Sequence, residues 1–147
     1  MKAIRTHKNY TSQTDFTNEV YNKLTWSTAD YNEGVEFSDS SFVPVPMGGV
    51  RSLIHFSGQV WISQNATASS GGIPNYVVKV SKNGEPIFAG IGTAGSFANS
   101  FVITVCGDDI AEPGDIYETW LYVTNESAIV DANPFHTFLC LYVIEGN

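Results

Sequence analysis

The chain has 147 residues, 43% hydrophobic and 15% charged, with a formal net charge of −8. That length buries one domain's core without a metal or disulfide staple, and the composition excludes a disordered chain. The acid excess repels phosphate backbones, which excludes nucleic acid as a partner. No apolar run approaches the length of a membrane span, so no membrane partner is expected. The opening MKAIRTHKNYTSQTDF carries basic residues with no apolar run behind them, unlike an export signal.

In chain order, residues 1–18 come first as a polar arm: Lys2, Arg5 and Lys8 precede any acid, Asp15 being the first. A cationic arm on an acidic body predicts docking on another protein. Residues 19–147 then form the predicted domain. EVYNKLTW is a strand candidate, and FSDSSFVPVP is an extended run that Pro44 and Pro46 confine to an edge or bend. GGVRSLIHFSGQVWIS is the longest strand candidate, with Val50, Ile54, Phe56, Val60 and Ile62 on one face and Arg51, Leu53, His55, Gln59 and Trp61 on the other. The small, polar loop QNATASSGGIPN follows, and Asn65, Asn75 and Tyr76 are its candidate ligand contacts.

YVVKVS and PIFAG flank Asn83-Gly84, a strong hairpin signal. Gly90 to Gly95 spell G-x-G-x-x-G, but Phe97, Phe101, Ile103 and Val105 then recur at even spacing, so no helix follows to receive a pyrophosphate. The glycines are expected to connect two strands. GDDIAEPGD is expected to be a solvated loop, since Asp108, Asp109, Glu112 and Asp115 lack the alternation of a calcium loop. IYETWLYVTN and FHTFLCLYVIE are the last strands. Many short strands with turn signals between them predict an all-β sandwich or barrel.

The final strand carries the main inference. Phe135, Leu139, Leu141 and Val143 share one side; His136, Phe138, Cys140, Tyr142 and Ile144 share the other. A sandwich strand has one face against the core, so its second apolar face calls for a cover, which burial between identical subunits supplies. Cys106 and Cys140 sit in apolar runs and are expected to be buried free thiols. No catalytic motif accompanies the three histidines His7, His55 and His136, so no enzyme, cofactor or metal is expected, and His55 is read as part of a polar patch or subunit contact.

The order of these motifs resembles the jelly-roll superfamily of complement component-1q heads and tumour necrosis factor. The resemblance rests on Tyr31-Asn32, Phe42 with Pro44, Pro46 with Gly49, VSKNGEPI, the turn at Pro113 to Asp115 and HTFLCLYVI, over roughly residues 19–145. It implies an antiparallel jelly roll of about ten strands that forms a homotrimer, with Phe138, Cys140 and Tyr142 toward the threefold axis. Arg51 and Cys140 depart from that pattern, at positions where an aromatic and a glycine are usual. Small jelly rolls of this kind also resemble bacteriophage virion proteins. The expectation is a non-enzymatic, virion-located decoration, spike or fibre-knob protein, held to a capsid protein by its arm; the alternative is a module that binds a host-surface glycan or protein.

Overall fold

Period-two patterning becomes twelve strands and no helix among the described residues. In this computed structural model those residues are 2–7, 13–14, 16–17, 19–26, 28–64, 75–93, 100–123, 128–131 and 137–144. The strands are β1 (Lys2–His7), β2 (Tyr21–Lys23), β3 (Thr28–Glu33), β4 (Glu36–Ser38), β5 (Ser41–Val43), β6 (Ser52–Gln64), β7 (Asn75–Lys82), β8 (Glu85–Thr93), β9 (Ser100–Ala111), β10 (Tyr117–Val123), β11 (Ala128–Val130) and β12 (Phe138–Ile144). They form two six-stranded sheets. Sheet A runs β3-β1-β12-β6-β9, with β11 pairing the far end of β6. Sheet B runs β4-β5-β10-β7-β8, with β2 pairing the end of β10. All pairings are antiparallel, and the architecture is the jelly-roll sandwich expected from the sequence.

Alternation sends one face of each long strand into a shared core. From β6 come Ile54, Phe56, Val60 and Ile62; from β10, Tyr117, Leu121 and Val123; from β12, Leu139, Leu141 and Val143. Val50, grouped with the β6 core face in the sequence, precedes the strand and is exposed. Asn83 (φ 50°) and Gly84 (φ 89°) make the expected hairpin turn between β7 and β8. A second turn of this kind joins β4 to β5 without any glycine, at Asp39 (φ 47°) and Ser40 (φ 62°). Ser40 Oγ secures it, accepting the Trp26 N–H at 2.8 Å and donating to the Trp26 carbonyl at 3.3 Å.

Three expectations are corrected here. The separate arm of residues 1–18 is not separate at its start: Lys2–His7 is an interior strand, with Ile4 opposite Leu141 on one side and Asn32 on the other. Ile4 and Thr6 are fully buried, and Phe16 is buried too, so the segment packs into the body. Lys8 lies outside the described residues. Second, Gly90 and Gly92 lie inside β8 and do not form a connection. A Cβ on Gly90 would overlap the Thr104 carbonyl oxygen, and one on Gly107 would enter the Phe88 ring; glycine is needed where β8 closes onto β9. Gly95 is outside the described residues. Third, β9 continues through Gly107–Ala111, so half of the expected acidic loop is strand.

Two outcomes are expected. Removing residues 2–7 takes out a strand between two others, so the truncated chain should lose its cooperative unfolding transition by circular dichroism; a folded, soluble truncation would return the segment to the status of an arm. Gly90→Ala should cost about 3 kcal/mol in urea unfolding, as overpacking against backbone does, with the loss confined to stability.

Candidate functional site

The outer face of sheet A is set out by strand register. One row across the sheet is Tyr31, Arg5, Cys140, Ser57 and Cys106; the next is Glu33, Ala3, Tyr142, His55 and Asp108; a third is Ile144, Leu53 and Ile110. The predicted subunit-facing residues Phe138, Cys140, Tyr142 and Ile144 do share this face, while His136 lies outside the described residues.

Much of their cover comes from the same chain. The Arg5 guanidinium lies 4.8 Å from the Phe138 ring centroid and pairs with Asp30 at 2.5 Å, and Asp30 also meets His7 Nδ1 at 2.5 Å. Tyr142 is hydrogen-bonded to Tyr31; that bond, with the neighbouring Cys140 and burial, pushes its phenol up to about 12. On the other flank the His55 ring sits 6.4 Å from Tyr142 and meets Asp108 Oδ1 through Nδ1 at 2.6 Å. Cys140 is buried, which pushes its thiol up.

Cys106, expected to be buried, is exposed on this face. Ser57 lies between it and Cys140 in the same row. Two strand spacings of about 4.8 Å put the two Cα atoms beyond disulfide reach. What stays open is the aliphatic row Leu53, Ile110 and Ile144, together with Val102 and Tyr31.

The candidate ligand loop is corrected in part. Tyr76 is 0% exposed, because it alternates with Val78 and Val80 on the core face of β7, and burial pushes its phenol up. Asn75 opens β7 opposite Thr93, and Asn65 lies outside the described residues. Lys2 and Arg5, expected on an anchoring arm, belong to β1.

The acids at 108–115 are paired one by one. Asp108 meets His55; Glu112 meets Arg51 at 3.1 Å; Asp109 and Asp115 both meet Lys82 at 3.1 Å. Lys82 also donates to the Ile110 carbonyl at 2.6 Å, and the Tyr117 hydroxyl donates to Asp109 at 2.7 Å. Burial pushes the Asp115 carboxyl up, but Asn83, the Glu112 N–H and Lys82 together outweigh it and hold the group below its ordinary value. The same pairings raise Lys82 against its own desolvation. Among the described residues no three metal-ligating side chains converge.

A feature absent from the sequence reading lies on the outer face of sheet B. Tyr21 and Tyr122 pair across β2 and β10 with ring centroids 5.5 Å apart, and Lys79 Nζ sits 3.8 Å from the Tyr21 centroid. Trp120 shares this face, its Nε1 donating to Ser81 Oγ at 3.0 Å. The period-two spacing of Trp120 and Tyr122 was the available signal.

No family model matches the sequence, and no curated protein matches it. Solved structures do. Murine APRIL at pH 5.0 aligns with a TM-score of 0.67 at 15% identity, and murine APRIL at pH 8.5 with 0.66 at 14%; each alignment covers 97% of this chain and 98% of the other. This is similarity of fold, the tumour-necrosis-factor-like jelly roll.

The Lys82 corner has a pH signature. Asp115 is held low, so its contribution is complete above the ordinary carboxylate value near pH 4 and is lost as pH falls through its lower folded value. Lys82 is held high, so its contribution is complete below the ordinary lysine value and is lost as pH rises through the folded one. Lys82→Met should therefore cost about 1 kcal/mol at neutral pH and flatten the loss of stability below about pH 4, both read from urea unfolding across pH.

Proposed function

We propose that this protein is a non-enzymatic virion structural protein, a homotrimer that assembles through the outer face of sheet A and serves as a decoration, spike or fibre knob on a virus particle. The observation that carries the trimer is the aliphatic row Ile144, Leu53 and Ile110, which runs across three strands, adjoins Tyr142 and His55, and stays exposed in the protomer. Full burial of such a side chain is worth about 1.5–3 kcal/mol, and these are already more than half buried, so each adds about 1 kcal/mol on association. That small sum makes the trimer dependent on concentration. Three copies that each carry −8 also repel one another, so added salt strengthens it.

The place on a particle rests on the resemblance of small jelly rolls of this kind to bacteriophage virion proteins. With Lys2 and Arg5 built into β1, attachment to a capsid protein falls to the surface of the folded body. A second reading, recognition of a host-surface glycan, is favoured by Tyr21, Trp120 and Tyr122 on the outer face of sheet B, where aromatic rings stack against sugars. Adsorption of purified protein to host cells, abolished by Tyr21→Ala with Tyr122→Ala, supports recognition; firm binding to particles without adsorption supports decoration.

Sedimentation equilibrium at tens of micromolar should report three protomers. Leu53→Asp, at a position open to solvent in the protomer, should give folded monomers. A monomeric parent protein, or a variant that still sediments as a trimer, would overturn the assembly face.

A further inference from the structure

One end of the sandwich holds a cavity of about 290 Å³ lined by Lys2, Pro44, Val45, Gly49, Val50, Ser52 and Val143. Its floor comes from the ends of β1, β12 and β6, where Lys2 pairs with Val143 and Val143 with Ile54. Its wall is the turn after β5, in which Gly49 N–H donates to the Pro46 carbonyl at 2.9 Å and Gly48 takes φ 86°. A Cβ on Gly49 would lie 2.8 Å from Val45 Cγ1, so that wall is closely packed. The Ser52 hydroxyl is engaged, donating to the Val50 carbonyl at 2.8 Å. At the rim Val50 is 68% exposed, and Met47 in the same turn is 82% exposed.

The charge of this cavity stands out against the rest of the chain. Fifteen acids face seven bases. Arg5 pairs with Asp30, Lys23 with Glu118, Arg51 with Glu112 and Lys82 with two aspartates, while Lys79 lies over Tyr21. Among the described residues nothing pairs with the Lys2 ammonium, whose stem lies 3.2–3.5 Å from the Cβ position of Gly34. Like Lys79, Lys2 has no carboxylate partner among the described residues, and it lines a cavity of mixed character in which Pro44, Val45, Val50 and Val143 supply the apolar part.

We infer that this cavity binds a short aliphatic carboxylate, its chain against Pro44, Val45 and Val143 and its carboxylate on Lys2. The volume is at the small end of ligand pockets. At about 30 Å³ for each water-sized atom group it holds on the order of ten non-hydrogen atoms, the size of octanoate. Sheet A's outer face is not part of it, so the inference stands apart from the trimer.

The test is titration of the isotope-labelled full chain with octanoate, 1-octanol, octylamine and acetate, followed by backbone amide shifts. Octanoate should shift the amides of Gly49, Ser52 and Val143 saturably. Octanol and acetate should bind at least tenfold more weakly, and octylamine should not bind. Lys2→Met, which keeps the apolar stem, should weaken octanoate about tenfold and leave octanol unchanged. Val50→Glu, a substitution at the exposed rim, should weaken octanoate similarly and covers the case in which the β1 variant fails to fold. No saturable shift at those amides, equal binding of octanol and octanoate, or full octanoate binding by the folded variants would each overturn the inference.

Discussion

The pairing of β1 with β12 is the constraint on which the rest depends. The first described strand lies between β3 and the last one, and the last lies between β1 and β6. Ile4 opposes Leu141, and both are fully buried. A slip of one residue would turn Ile4 and Thr6 outward and bring Arg5 into the core, so the register is fixed by the hydrophobic pattern. Contacts between segments so far apart in sequence must wait for loop closure, which makes this pairing a late event in a slow-folding topology.

The same register explains how β12 can be apolar on both faces. Pairing with β1 puts Arg5 beside Cys140 and over Phe138, and pairing with β6 puts His55 beside Tyr142. An aromatic ring next to a guanidinium, or a phenol hydrogen-bonded to a second phenol, is partly removed from water without a subunit on top. The unmet demand for cover therefore moves along the sheet, from Phe138 and Cys140 to Ile144 and its aliphatic neighbours Leu53 and Ile110.

Where the sequence was legible, the reason is dense patterning. β6 and β12 alternate large apolar side chains over many residues, and Asn83-Gly84 meets a turn that demands positive φ twice. β1 was illegible because only Ile4 is a large apolar residue on its inward face, with Thr6 buried beside it, so KAIRTH has the composition of a polar arm. Tyr76 follows a stretch rich in glycine and serine, and that neighbourhood hid its place in the Tyr76, Val78, Val80 series. Asp108 and Asp109 suggested a loop because two acids stand together, yet a strand sends them to opposite faces: Asp108 outward to His55, Asp109 inward to Tyr117 and Lys82. The partner that makes an inward aspartate tolerable lies on another strand, and spacing along the chain does not disclose it.

Sheet edges are the other route by which β proteins associate, and here each is blunted. β3, at one edge of sheet A, carries Asp30 and Glu33, charges that oppose strand addition. β4, at one edge of sheet B, is three residues long. β2 and β11, each paired to one strand, are also three residues long, and β8 and β9 meet each other: Gly90 lets β8 approach Thr104, and Gly107 lets the Phe88 ring lie against β9. Gly90, the first glycine of the G-x-G-x-x-G, thus serves with Gly107 to close one side of the sandwich. With edges charged, short or joined, strand addition is disfavoured and the outer faces are what the sandwich offers to a partner. Both carry ions: sheet B's outer face is crossed by Lys79 over Tyr21 and by the Lys23–Glu118 pair, and sheet A's by Arg5–Asp30, His55–Asp108 and Arg51–Glu112, but sheet A's also presents the aliphatic row Ile144, Leu53 and Ile110. A trimer built on that row, as proposed, gains from the aliphatic side chains and has to leave the flanking ion pairs at a solvated rim, where they keep most of their water.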